Sequence, residues 1–293
     1  MEGDWQSLAS FMEEFPHVGN SSDAAKAAAA AGACTTSDKY CLATLYFAGG
    51  YFSLRQAIHL DALRYAIESA DLGNADRNWL LAAWISSAAV VINAPGHTAQ
   101  YLKVSGEISQ ARVRRAWRRN VWDVFLDRLT QVSQEGTAAW RSGNKVFNDE
   151  ALSLAASDKV DGVGAIYADP PYTKDHYSRY YHVYETLFRY DFPDSAGAGR
   201  YRSDRFVTEF SIKTKVSGAF EALAAAAKKR DAPLVLSYPD NGLLVGAGVE
   251  LGELLRSHFN HVAVMSFGHD HSTLGASQGE QKKRAVENIY VCS

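Results

Sequence analysis

The chain has 293 residues, 47% of them hydrophobic, and a formal net charge of -3. That length and composition suit a soluble globule with a sizeable core, and the near-neutral charge excludes binding to nucleic acid by bulk charge alone, so any such contact must be local. The three cysteines, Cys34, Cys41 and Cys292, have neither the spacing of a zinc site nor a disulfide framework and point to a reducing, cytoplasmic compartment.

The N-terminus, Met1-Glu2-Gly3-Asp4, lacks the positive flank and apolar stretch of a signal peptide. Asp23 to Ala33 is almost all alanine, which favours helix but offers little apolar area, and reads as a loosely held helix or linker. From Ala57, Leu60, Leu63 and Ile67 recur at helical spacing between Asp61, Arg64 and Glu68, predicting an amphipathic helix. The run Leu80 to Ile92, interrupted by Trp84, Ser86 and Ser87, falls short of the ~20 residues of a membrane span and predicts a buried helix. Arg112 to Asp127 again has helical period, through Val113, Trp117, Val121, Val124 and Phe125, with Arg112, Arg114, Arg115, Arg118 and Arg119 clustered at its start. Such a cluster, with Trp117 and Trp122, suits phosphate contact, and equally an ordinary solvated face.

After Gly143 the pattern changes. Lys145–Asn148, Gly164–Ala168, Pro233–Tyr238, His261–Phe267 and Ala285–Cys292 are short apolar runs bounded by Gly, Pro, Asn or Asp, and read as strands. Helices are expected at Ser217–Lys229 and Gly248–Phe259 between them, so the fold class is α/β, a doubly wound sheet (143–293) after a mainly helical region (1–142).

In Gly164-Ala165-Ile166-Tyr167-Ala168-Asp169-Pro170-Pro171-Tyr172 an apolar strand ends in an acid, two prolines and an aromatic residue. Ligands of open α/β sheets bind at the carboxyl ends of strands. The prolines fix φ and remove donors, leaving a stiff loop of acceptors. The exocyclic amine of a base is a poor nucleophile because its lone pair is delocalised into the ring; two acceptors, the Asp169 carboxylate and the Pro170 carbonyl, would draw it toward tetrahedral geometry and stabilise the developing charge. Tyr172 would stack on a base taken out of its duplex.

With this motif the chain resembles the adenine-specific, S-adenosylmethionine (SAM)-dependent DNA methyltransferases that carry a D-P-P-Y fourth motif. The resemblance runs over roughly residues 45 to 293, through Tyr51-Phe52-Ser53, Gln56-Ala57, Asp61-Ala62-Leu63-Arg64, Asn93-Ala94-Pro95-Gly96-His97, Tyr101-Leu102-Lys103, Tyr181-His182-Val183-Tyr184-Glu185-Thr186-Leu187 and Leu236-Ser237-Tyr238. It implies a catalytic set of Asp169, Pro170, Pro171 and Tyr172, and direct in-line attack of the N6 amine of a flipped adenine on the sulfonium methyl. Val146-Phe147-Asn148-Asp149 looks like the family's third motif, so Asn148, Asp149 and Asp169 are the expected cofactor contacts; Asp149 reads equally as the N-cap of a helix starting near Glu150. The family's target-recognition region lies between its first and fourth motifs, which gives that role, or partner interaction, to the helical region. The expected partner is double-stranded DNA, contacted by Tyr172, Tyr177, Lys103, Arg115, Arg118, Arg119, Arg200, Arg202 and Lys213.

The family normally opens with a glycine-rich F-x-G-x-G turn that holds the methionine end of SAM. Here the only stand-in is Phe47-Ala48-Gly49-Gly50, whose sequel matches a later family segment. A sheet lacking that part would keep a bare strand edge and apolar face, so a partial Rossmann-like methyltransferase sheet is expected, completed by a partner polypeptide carrying the glycine turn or by a removed N-terminal part of the same chain. Cytosine-N4 methylation, an RNA substrate and a catalytically silent DNA-binding or assembly subunit are the alternatives; Asp rather than Ser at the start of the motif favours adenine.

Other features read more plainly. Arg200, Arg202, Arg205, Lys213 and Lys215 suggest a basic loop near the flipped base. His269-Asp270-His271 lacks further ligands at metal-site spacing, so no metal is expected. Tyr177, Tyr181, Tyr184 and Phe188 have the helical spacing of a packed face.

Overall fold

The computed structural model describes residues 40–134, 136–271 and 283–293; the alanine-rich run and Cys34 lie outside them. In chain order the helices are α1 (Leu42–Phe47), α2 (Leu54–Ser69), α3 (Asn74–Val91), α4 (Glu107–Trp117), α5 (Val121–Gln134), α6 (Ala138–Gly143) and α7 (Ala151–Ala156). There follow β1 (Ile166–Ala168), α8 (Tyr177–Tyr180), α9 (His182–Arg189), β2 (Ser195–Ala196), β3 (Tyr201–Arg202), α10 (Val216–Lys229), β4 (Leu234–Pro239), α11 (Leu243–Gly246), α12 (Leu251–Arg256), β5 (Val262–His271) and β6 (Lys283–Cys292). The chain divides into two compact units, the first running to Gly143 and taking in Ser178–Arg205, the second comprising Asn144–Tyr177 and Phe206–Ser293. Among the described residues no helix is long and apolar enough to cross a membrane.

The first unit is helical around a core that includes Tyr46, Phe47, Phe52, Leu60, Trp84 and Leu187. Ser53 and Gln56 close a capping box at the start of α2, satisfying two donors that a helix N-terminus leaves bare. The Gln56 amide also donates to the Ala116 and Arg119 carbonyls (2.8 and 3.0 Å), tying α2 to the chain where α4 ends. The single helix expected over Arg112–Asp127 is therefore two, and Asn120 Oδ1 accepts from the Trp122 N–H (3.0 Å) where the second begins. Asp61, on α2, is fully buried and accepts from the Ala43 N–H (2.8 Å), the Thr44 N–H (2.9 Å), the Thr44 hydroxyl (2.6 Å) and the Tyr190 hydroxyl. Trp84 donates to the Leu60 carbonyl (3.0 Å), and the Asn93 amide ties the Gly50 and Leu102 carbonyls together (2.9 and 3.0 Å). On α9 the buried residues are His182, Val183, Thr186 and Leu187, while Tyr181 and Phe188 are exposed, so the packed stripe is not the one the tyrosines mark.

The second unit is a four-stranded sheet in the order β1-β4-β6-β5, with β1 parallel to β4 and β6 antiparallel to both β4 and β5. It is a mixed, partial Rossmann-like sheet. Leu234, Leu236 and Tyr238 of β4 and Tyr290 and Cys292 of β6 share one face and pack under α10, α12 and α11 through Phe220, Leu223, Leu255 and Leu244. The Phe220 ring meets Tyr238 edge to face at 4.9 Å. Four of the five expected strands form. The fifth, Lys145–Asn148, forms no strand among the described residues, and Val146 is 98% exposed.

Candidate active site

β1 is a short edge strand, and its register with β4 (Ala168 opposite Leu236) puts Asp169 at its carboxyl end. The strand stops there because two successive prolines cannot donate to a ladder. Pro170 and Pro171 are buried and Tyr172 is half-buried against the core of the unit, its carbonyl accepting the Leu243 N–H (2.8 Å). That bond is supported from behind: the Tyr238 hydroxyl accepts the Leu244 N–H (3.0 Å), and a Cβ on Gly242 would lie 2.4 Å from the Tyr238 ring. The loop is thus pinned at both ends, while Asp169 between them is exposed. Its carboxylate makes no hydrogen bond or ion pair among the described residues, and partial desolvation holds its pKa above the usual carboxylate value. Its carbonyl accepts the Tyr177 hydroxyl (3.4 Å).

A short aromatic wall continues from Tyr177. His176 is buried, its ring 6.0 Å from that of Tyr177, and Phe206 packs edge to face on it at 4.8 Å while remaining 61% exposed. Burial lowers the His176 pKa and keeps the ring neutral. Phe206 is the residue that sequence reasoning missed: it is far from the motif along the chain and belongs to no periodic run.

The remaining expected residues divide. Asn148 and Asp149 are exposed, and Asp149 is held by Lys159 (3.1 Å), which lowers its pKa below the usual carboxylate value. The cap of α7 is Glu150, which accepts from the Leu152 and Ser153 N–H groups, so the capping role expected of Asp149 falls one residue later. In the first unit Lys103, Arg115, Arg118 and Arg119 are exposed on or near α4, and Arg119 donates to the Val90 carbonyl. Arg200 and Arg202, expected on a basic DNA-facing loop, are instead buried. The Arg202 guanidinium is gripped by Asp191 (2.6 and 2.7 Å) and Asp204 (2.9 and 3.0 Å), a bidentate pairing that leaves it no phosphate to meet. Lys213, in the second unit, is exposed. His269–His271 lie on β5, and among the described residues no cluster of His, Cys, Asp or Glu has metal-site geometry.

The stand-in for the glycine turn is a structural turn. Gly49 and Gly50 follow a helix rather than a strand, Gly49 has φ of 73°, and a Cβ on Gly50 would come within 2.9 Å of the Tyr101 ring. That turn is filled by an aromatic ring and offers no cradle to a cofactor.

A pinned loop at the carboxyl end of a parallel edge strand stands where open α/β sheets bind their ligands. The family model of D12 class N6 adenine-specific DNA methyltransferases matches residues 49–237, and the chain belongs to that family. It is 27% identical over 215 residues to the type II methyltransferase M.FokI of Planomicrobium okeanokoites, covering 71% of this chain and 29% of that protein. Over 177 residues it is 27% identical to the modification methylase LlaI of Lactococcus lactis subsp. lactis, covering 59% of this chain and 26% of that protein. The chain thus spans less than a third of the curated relatives it matches. No solved structure matches it.

Proposed function

We propose that this chain is the base-holding half of a DNA adenine-N6 methyltransferase, completed by a partner polypeptide that carries the glycine-rich SAM turn. The observation that carries the reading is Asp169: an exposed carboxylate, without a partner among the described residues, on a proline-stiffened loop at a strand end. An amine hydrogen-bonded to that carboxylate and to the Pro170 carbonyl loses conjugation with its ring and gains nucleophilicity. Neither acceptor is consumed, so no covalent enzyme intermediate is needed and Asp169 serves by orientation and charge. Tyr172 and Tyr177 border the loop and are the residues to stack on an extruded base, offsetting its unstacking by roughly 1–3 kcal/mol each. The exposed Lys103, Arg115, Arg118 and Arg119 of the helical unit, with Lys213, are the phosphate contacts; duplex DNA is the substrate that the family and the names of its relatives support.

Members of the family take their methyl group from SAM, and the described residues of this chain do not fit that donor by themselves. Gly49-Gly50 is filled by Tyr101, and Asp149 lies exposed beside Lys159. That misfit supports a second polypeptide. Mass spectrometry of nucleosides from duplex DNA incubated with SAM and the chain isolated with its partner tests the reading. N6-methyladenine is the expected product; N4-methylcytosine, or no methylated base at all, would refute it.

A further inference from the structure

Asp169 and the Pro170 carbonyl can accept the two hydrogens of an amine, and cytosine and guanine carry exocyclic amines as well. The loop after β1 therefore holds an amine without choosing the base that bears it. What sets adenine apart is the atom beside the amine. Adenine has ring nitrogens with free lone pairs on both sides, N1 and N7, where cytosine has a C–H on one side and guanine an N–H. A site that selects adenine needs a donor for one of those nitrogens.

β1 and β4 run parallel, so the loops that follow them leave the same edge of the sheet. Most side-chain donors on these loops are committed. The Tyr177 hydroxyl donates to the Asp169 carbonyl and that of Thr173 to the Asp175 carbonyl (3.0 Å), while His176 is buried. Lys174 and Asn241 are exposed, and their side chains make no hydrogen bond or ion pair among the described residues. Lys174 is a point charge on a flexible stem, which suits a phosphate; Asn241 carries a neutral, planar amide, the group that pairs with base edges.

The turn that carries Asn241 is held as firmly as the Asp169 loop. The Gly242 N–H donates back to the Pro239 carbonyl (3.3 Å), closing a four-residue turn with Asn241 in its third place. Asp240 is clamped to Val286, donating to its carbonyl (2.9 Å) and accepting its N–H on the carboxylate (3.3 Å). On the other side Gly242 lies against the Tyr238 ring with no room for a Cβ, and the Leu243 N–H is bonded to the Tyr172 carbonyl. That last bond ties the turn to the Asp-Pro-Pro-Tyr loop. Asp169 and Asn241 thus share one condition: each is an exposed, uncommitted polar side chain between pinned neighbours, on loops at the ends of adjacent parallel strands. Groups held ready in this way give up little freedom on meeting a ligand.

The geometry points to Asn241 as the specificity-determining residue of the base site, its amide donating to the ring nitrogen beside the amine that Asp169 holds. This deepens the functional reading above and rests on it for the extruded base. N1 and N7 offer the same acceptor chemistry from opposite edges of the ring, and a bond to N7 excludes cytosine, which has a C–H there.

The test compares single-turnover methylation, by the chain isolated with its partner, of duplexes whose target base is adenine, 7-deazaadenine or 1-deazaadenine. The deaza base that lacks the nitrogen read by Asn241 should slow wild type by about 5- to 150-fold, as loss of a base-edge contact does. The same base should slow Asn241→Ala at least about fivefold less, because the donor is already gone. Asn241→Asp keeps the size of the side chain, loses the donor and should behave as Asn241→Ala does. Both variants should keep the wild-type circular dichroism, since position 241 is exposed. Equal sensitivity of wild type and Asn241→Ala to both deaza bases, or a wild-type rate in Asn241→Asp, would overturn the inference. 2-Aminopurine at the target position keeps both ring nitrogens and lacks the 6-amine, so its fluorescence reads capture of the base apart from methyl transfer. An enhancement that Asn241→Ala loses, with no duplex methylated, would keep this contact and remove the function. Methylation with equal deaza sensitivities would do the reverse, and neither methylation nor enhancement would remove both.

Discussion

Asp169 matters because of what surrounds it. A carboxylate on a mobile loop would find water or a lysine; this one sits between the paired end of β1 and two buried prolines, and the next residue, Tyr172, has its carbonyl pinned by Leu243. The motif itself was legible in the sequence, since Asp-Pro-Pro-Tyr after an apolar run states both the strand end and the acceptor chemistry. The surrounding roles were less so. Tyr51, Asp61, Asn93 and His182, all within segments that carry the family resemblance, prove to be buried hydrogen-bonding struts of the helical unit. A sequence does not distinguish a polar residue kept to touch a ligand from one kept to satisfy a buried carbonyl. His182 gives the clearest test of such a strut. Burial pushes its ring down to about 3 from an ordinary value of 6.5, so the folded chain holds it neutral while the unfolded chain takes up a proton. Its contribution to stability is whole above pH 6.5 and is lost as the pH falls toward 3, at up to ~1.4 kcal/mol per pH unit. Asp61, pushed up to about 6 by burial, works with the opposite sign as the pH rises through 6. The measurement is therefore a difference: between pH 7.5 and pH 5, urea unfolding should cost wild type roughly 2 kcal/mol more stability than His182→Gln. Equal losses would mean the ring is not held neutral.

Elements were predicted well where their own residues decide them and poorly where a neighbour does. The helix over Leu54–Ser69 and the strand Leu234–Pro239 follow from periodicity and flanking turns. The break between α4 and α5 has a local part, Asn120 accepting the Trp122 N–H, and a remote part that the local sequence does not show, Gln56 donating to the Ala116 and Arg119 carbonyls. Segment 145–148 has strand composition and forms no strand among the described residues. The basic stretch shows the same limit: Arg200 and Arg202 looked like Arg115 and Arg118 as text, yet Asp191 and Asp204 enclose Arg202. What remains is α4, anchored by Gln56 and exposing Arg115 and Arg118 to solvent. Replacing both with Ala in the chain with its partner should weaken duplex binding and reduce the slope of log affinity against log salt by about 1.8, near 0.9 per lost phosphate contact. Fluorescence anisotropy across a salt series measures it, and an unchanged slope would return these arginines to an ordinary solvated face.

At the scale of the whole molecule, the family match over residues 49–237 takes in most of the described helical unit together with β1 and most of β4 of the sheet. The chain carries the Asp169 loop and a helical unit with a basic helix, and among the described residues Gly49-Gly50 is filled by the Tyr101 ring. The lack of the family's glycine turn was legible in the sequence; the antiparallel place of β6 between β4 and β5 was not, because it follows from strand pairing and not from any residue. The account as a whole stands on the grip of Asp169 on an amine. Single-turnover methylation of a saturating duplex by the complex, wild type against Asp169→Ala, tests it most directly. The predicted result is a rate lower by about 10²–10³-fold, with DNA affinity changed by less than about 3-fold, as befits an interaction made in the transition state. Equal rates would contradict it.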